Sequence, residues 1–170
     1  MKRIIRRNNG FSLIELLIVI AIMGVLAVIA FSMFTGVIHN SRKKSDEHQA
    51  LVIEKAVISY MLQSHDYKLD HLRYTGYMTS NRSMHGEKSE DLIYALQDDI
   101  TCNISGKDEV IYPILNPKSG ASPSASGYTP FWNTSNGGKY VGYKIEVDSA
   151  NLNCHVTPVE VEADAKVYVK

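Results

Sequence analysis

The chain is poor in several things, and each shortage narrows what it can be. Of its 170 residues only two are cysteine, Cys102 and Cys154, and they form no C-x-x-C pair. No proline occurs before Pro113, so no helix ahead of that point is kinked by one. There is no H-E-x-x-H, no G-x-S-x-G and no phosphate-binding glycine loop. The six histidines are scattered and none stands beside a convincing nucleophile, so the sequence does not read as an enzyme. Neither a cofactor nor a metal is expected. Basic residues do not outnumber acidic ones, at 18 each. A nucleic-acid surface needs clustered Lys and Arg to displace counterions, so none is predicted.

The charge that is present is unevenly placed. Lys2, Arg3, Arg6 and Arg7 precede a long apolar run, with no acidic residue among them. Leu16 to Phe31 contains no polar or charged side chain, and Phe11 to Ile38 contains only Ser12, Glu15, Ser32 and Thr35. A helix of about 20 apolar residues crosses a bilayer. The basic start favours a cytoplasmic N-terminus, a bias softened by Arg42, Lys43 and Lys44 on the far side. A cleaved secretory signal would have a shorter apolar region followed by a small-residue site, which Ala21, Ala27 and Ala30 do not make. A plain signal anchor accounts for the run and the basic start, but not for Glu15.

A carboxylate in a spanning helix costs about 2.5–3.5 kcal/mol on insertion scales, so it calls for a partner. Gly10 has no side chain, and cleavage after it frees the amine of Phe11, four residues before Glu15. Positions i and i+4 share a helix face. The Phe11 ammonium of a neighbouring subunit can then meet Glu15 and set the axial register between helices, because a misplaced carboxylate stays unpaired.

Gly10-Phe11-Ser12-Leu13-Ile14-Glu15, followed at once by Leu16 to Gly24, closely resembles the prepilin signature of type IV pilins and pseudopilins. The resemblance covers roughly residues 1–40. It implies that a membrane prepilin peptidase cuts between Gly10 and Phe11 and N-methylates Phe11. It also implies that Glu15 is the assembly glutamate and that the apolar stretch packs in a filament core. The implied partners are other copies of the chain and other pilins, the peptidase, and an inner-membrane assembly platform. The implied location is the bacterial cytoplasmic membrane, single pass with the N-terminus inside, and then a surface filament. The function implied is a structural pilin serving adhesion, motility or colonisation. The alternatives are a pseudopilin of a secretion or DNA-uptake machine and a membrane-anchored binding protein that never polymerises. Many pilins carry a proline late in this segment; here Ser32 is the nearest position, leaving Gly24 and Gly36 as the weak points.

The expected organisation is a leader over 1–10, a membrane or filament-core helix over 11–38, its amphipathic continuation over 39–65, and an α+β head over 66–170. The continuation has Leu51, Ile53, Val57, Ile58, Met61 and Leu62 at helical spacings. Unbroken from Phe11 to Ser64, the helix would be on the order of 80 Å long. The bland alternative breaks it between Gly36 and Ser41. His65 to His71 (HDYKLDH) matches no tight ligand spacing and reads as a helix end or solvated loop. Ser89 is expected to cap a short helix to about Gln97. Strands are expected over Glu109–Leu115 and Tyr140–Val147, with a turn at Asn136-Gly137-Gly138 before the second. A further strand is expected from Val159 to the end, or two short ones about a turn near Asp164. Ser119 to Gly127 contains only Ser, Gly, Ala and Pro and is expected to be an exposed, mobile loop. Together these predict an antiparallel sheet packed on the second half of the long helix. The even cysteine count beyond a membrane segment suggests a Cys102–Cys154 disulfide, the other reading being two buried free thiols. Tyr128, Phe131, Trp132, Tyr140 and Tyr143 are expected in the core, with an exposed contact patch as the second reading.

Overall fold

A computed structural model describes residues 12–73, 82–104, 106–117 and 122–170. The chain divides into two compact units at the Asn40–Ser41 boundary. One helix, α1, runs without a break from Leu13 to Ser64. The absence of proline permits this, and Gly24 and Gly36 do not interrupt it.

Within the second unit, α1 buries Asp46, Gln49, Ala50, Ile53, Ala56, Val57, Tyr60, Met61 and Ser64. The steps of three and four make one stripe. Leu51 and Leu62, expected on that stripe, are instead exposed. Each lies one residue off it, and one residue turns a helix by about a quarter of a circle. The helix ends where His65 enters the left-handed region (φ 55°), with the Ser64 hydroxyl donating back to the Tyr60 carbonyl at 2.8 Å.

The head is α+β, as expected, but it has two sheets. Helix α2 (Ser89–Ala95) precedes an antiparallel hairpin of β1 (Ile100–Ile104) and β2 (Lys107–Ile111). The second sheet holds β3 (Gly142–Asp148), β4 (Asn153–Val159) and β5 (Val167–Val169), in the order β4-β3-β5. The β3–β4 pair is antiparallel and the β3–β5 pair parallel, so this sheet is mixed. A 3₁₀ turn at Glu162–Asp164 falls near the expected turn, but Val159 is the end of β4 and only Val167–Val169 forms a strand beyond it, so neither a long strand nor two short ones occupies 159–169. The reversal it makes, on top of that at Asp148–Asn153, returns β5 in the direction of β3. The outer side of β5 is covered by residues 86–87, whose backbone exchanges bonds of 2.8 and 3.0 Å with Val167.

The core joins Ile53, Val57, Tyr60 and Met61 of α1 to Leu92, Ile93 and Leu96, to Ile100 and Ile111, and to Ile145, Val147, Val156 and Val167. Lys88, not Ser89, occupies the N-cap of α2. The Ser89 hydroxyl donates to the Ala165 carbonyl at 3.2 Å, tying helix to sheet. The described part of the Ser-rich stretch is anchored rather than loose. Ser124 exchanges two 3.2 Å bonds with the buried Gln97 side chain, a 3₁₀ turn follows at Ala125–Tyr128, and Tyr128 is buried with its hydroxyl on the Asn116 carbonyl at 2.9 Å. Residues 119–121 of that stretch lie outside the described residues.

Candidate functional site

From Ser12 to Val37 every residue is exposed, and seventeen of the side chains are large and apolar. Covering a side chain of this kind is worth about 1.5–3 kcal/mol, so the segment carries on the order of 25–50 kcal/mol of unmet burial. A domain's whole stability is about 5–15 kcal/mol. Lipid or other helices must therefore cover this surface.

Glu15 sits in the first turn of α1, and Ser12 stands at its N-cap position. The Ser12 backbone N–H donates to Glu15 Oε2 at 2.9 Å, and the Leu16 N–H donates to the Ser12 carbonyl at 3.2 Å. This is half of a capping box: the N3 carboxylate satisfies the N-cap amide. The charge also lies at the positive end of the helix dipole. Glu15 thus has a local partner within its own subunit, one that the Ser-x-x-Glu spacing of the sequence already encodes. The cleavage pair Gly10–Phe11 lies outside the described residues.

A second constellation lies wholly within the head. Asp46 is fully buried, and its two carboxylate oxygens accept the backbone N–H groups of Phe131 (2.5 Å) and Trp132 (2.9 Å). One turn back, the Arg42 guanidinium donates to the Asn136 carbonyl at 2.5 Å and the Lys43 ammonium lies 4.0 Å from the centre of the Trp132 ring. Trp132 meets Tyr140 edge to face at 4.9 Å. The Trp132 carbonyl accepts from both Lys139 and Tyr140 at 3.0 Å, closing the loop on itself. Its two glycines are required for different reasons. Gly137 is left-handed (φ 71°), and a side chain at Gly138 would stand 2.1 Å from the Trp132 carbonyl oxygen. The five expected core aromatics therefore divide: Tyr128 and Tyr143 are buried, whereas Phe131, Trp132 and Tyr140 line an accessible clasp on the helix. Asp46 gives no sign of this in the sequence, where it is one charge among Arg42, Lys43, Lys44 and Glu47.

The HDYKLDH stretch holds a similar device. Buried Asp66 accepts the N–H of Asp70 (3.0 Å) and of His71 (2.8 Å), together with the Tyr60 hydroxyl (3.1 Å). It organises the turn after α1 by the capacity of one carboxylate to accept several donors.

The expected disulfide is not formed: Cys102 and Cys154 are both free and buried. They belong to different sheets. Cys102 Sγ lies 3.3 Å from the Tyr60 hydroxyl, while the strand carrying Cys154 meets Glu54 through the Val156 N–H at 3.4 Å. Burial, and then the Glu54 carboxylate, push the Cys154 thiol up to about 12. Burial raises Cys102 as well, and it raises the Tyr60 and Tyr143 phenols far above their ordinary range. From about pH 9 upward for the thiols, and pH 10 for the phenols, the unfolded chain releases protons that the native chain keeps, so stability falls as pH rises. Alkaline titration of denaturation midpoints is expected to show this decline. At pH 8 native Cys154 is expected to react with a thiol reagent about a thousandfold more slowly than in denaturant. A native chain with no titratable thiol even in denaturant would instead mean a bridge.

The prokaryotic N-terminal methylation motif matches residues 5–31. The chain carries the type IV prepilin signature. No curated protein and no solved structure matches the chain. The matched motif and the exposed apolar helix support a type IV pilin-like protein with a membrane-anchored stage before assembly. The family bearing the motif is structural rather than enzymatic. Within the matched residues lie the expected cleavage pair Gly10–Phe11, Ser12, Glu15 and the apolar surface up to Phe31.

Proposed function

We propose that this type IV pilin-like protein is a structural subunit of a type IV pilus, polymerising through α1 for adhesion, motility or colonisation. The observation that carries the reading is the exposed surface of residues 16–31, which holds no polar side chain and lies directly behind a peptidase-type leader. A lone anchor needs only lipid around it. A carboxylate at the head of the apolar stretch serves a further purpose if it registers neighbouring helices. In this reading the peptidase cuts between Gly10 and Phe11, the methylated Phe11 amine of one subunit meets Glu15 of the next, and the assembly platform extracts the helix from the membrane into the filament core. The head of residues 41–170 is then displayed outward.

The test is the N-terminal peptide of the protein in the surface fraction sheared from native cells. The expected result is an N-methylated Phe11 terminus in sheared filaments. The same terminus confined to the membrane fraction would make the protein a pseudopilin or a rare subunit. A chain still beginning at Met1 while the peptidase is active would leave only the plain anchor.

A further inference from the structure

Asn136 and Gly137 stand where the clasp closes on the helix. Asn136 is exposed and ends a 3₁₀ turn, Thr134–Asn136. An asparagine followed by glycine is open to attack by its own chain, because no side chain shields the glycine nitrogen from the asparagine Cγ. The five-membered ring that results needs the Gly137 nitrogen eclipsed with the Asn136 Cβ, and it needs that nitrogen to give up its proton. The native turn prevents both. In a 3₁₀ turn ψ is about −20 to −30°, which holds the next nitrogen roughly a quarter turn away from Cβ. The Gly137 N–H donates to the Thr134 carbonyl at 3.4 Å, and Asn136 Nδ2 donates to the Phe131 carbonyl at 3.2 Å. The Arg42 guanidinium pins the Asn136 main-chain carbonyl at 2.5 Å. Each of these bonds belongs to the closed clasp.

We infer that Asn136–Gly137 is a covalent modification site that the clasp guards. When the turn opens, the Gly137 nitrogen attacks Asn136 Cγ. An N–Cγ bond forms, and the side-chain nitrogen leaves as ammonia, taking up the proton that Gly137 gives up. Water then opens the cyclic imide at either carbonyl, leaving aspartate or isoaspartate, so nothing but water is consumed. The isoaspartate product carries the main chain through Cβ and Cγ, one carbon longer than before. The turn has no slack for that carbon. The Gly138 N–H donates to the Asn133 carbonyl at 2.8 Å, and Lys139 and Tyr140 both donate to the Trp132 carbonyl at 3.0 Å. A single carbon added at Gly138 would stand 2.1 Å from that same oxygen. The aspartate product keeps the chain length but loses the donor to Phe131. Modification therefore marks a chain whose clasp has opened, and as isoaspartate it keeps the clasp from closing again. The inference goes beyond the filament reading and does not depend on it.

The test incubates the full chain in detergent micelles at mildly alkaline pH, with and without denaturant, and follows position 136 by peptide mass spectrometry with isoaspartate detection. Peptide mapping keeps Asn136 apart from Asn9–Gly10, the other Asn–Gly pair of the sequence. Opening of the clasp is read separately, from hydrogen exchange at the Lys139 and Tyr140 amides. Asn136 is expected to convert readily in denaturant, and to be slowed in the native chain by the same factor that slows those two amides. Asp46→Ala should speed native conversion on the order of a hundredfold, through loss of the two bonds that hold the loop, and should speed the amides alike. Chains carrying isoaspartate at 136 should exchange both amides at denatured-state rates. No conversion in denaturant would overturn the inference, as would native conversion as fast as in denaturant. Conversion and amide exchange that part company in Asp46→Ala, or an isoaspartate chain whose amides stay protected, would overturn it too.

Discussion

Glu15→Gln is expected to abolish polymerisation while the subunit stays in the membrane. Glutamine keeps a carbonyl oxygen that can accept the Ser12 N–H, so the start of α1 is preserved. What it loses is the charge. If Glu15 pairs with the Phe11 amine of a neighbour, the substitution leaves that amine unpaired in a low-dielectric bundle, which costs about 3–5 kcal/mol. Each contact should weaken about a hundredfold or more, and a filament multiplies that loss along its length. Glu15→Ala removes both the charge and the acceptor, and is expected to be as defective in assembly with some additional fraying of the first turn. The measurement is the amount of the protein in sheared filaments relative to the membrane fraction. Full assembly of the glutamine variant with failure of the alanine variant would assign Glu15 to helix capping and remove the register role. Full assembly of both would leave Glu15 no part in polymerisation.

Asp46→Ala is expected to destabilise the head by about 3 kcal/mol or more. Two charge-assisted bonds are lost, each contributing about 1.5–3 kcal/mol, and two amides are left without their acceptor. The midpoint of thermal unfolding should fall on the order of 10 °C for a unit of this size. Trp132 is the natural probe, because its amide is one of the two released. Asp46→Asn retains a single acceptor oxygen and should fall between the two. Melting of the full chain in detergent micelles, followed by Trp132 emission, checks the order. A loss below about 0.5 kcal/mol for the alanine variant would mean that packing of Trp132 on Tyr140 and Lys43 holds the clasp without the carboxylate.

Several parts of this protein are readable without its fold. The membrane helix is legible because it depends on composition over a window: an apolar run long enough to span, with no proline to break it. The signature and its Glu15 are legible because the motif is local, and the Ser12–Glu15 bond follows from their spacing of three. Strands such as β3 announce themselves through alternation. Other parts depend on which segments meet. The parallel placement of β5 beside β3 follows from a reversal at Glu162–Asp164 and from closure by residues 86–87, neither of which alternation specifies. The cysteine count is compatible with a bridge, but pairing depends on distance, and the two thiols lie on different sheets. Leu51 and Leu62 are as apolar as Ile53, yet only rotation about the helix decides which of them is covered.

The sequence by itself determined the methylation motif and the apolar helix with its glutamate, because each rests on residues that are neighbours along the chain. Only the tertiary structure decided that Asp46 is buried as a clasp rather than solvated among its charged neighbours, and that Trp132 and Tyr140 stand outside while Tyr128 and Tyr143 stand within. The reason is physical. A buried carboxylate is tolerated only where donors converge on it, and here the donors come from a loop some eighty-five residues away along the chain.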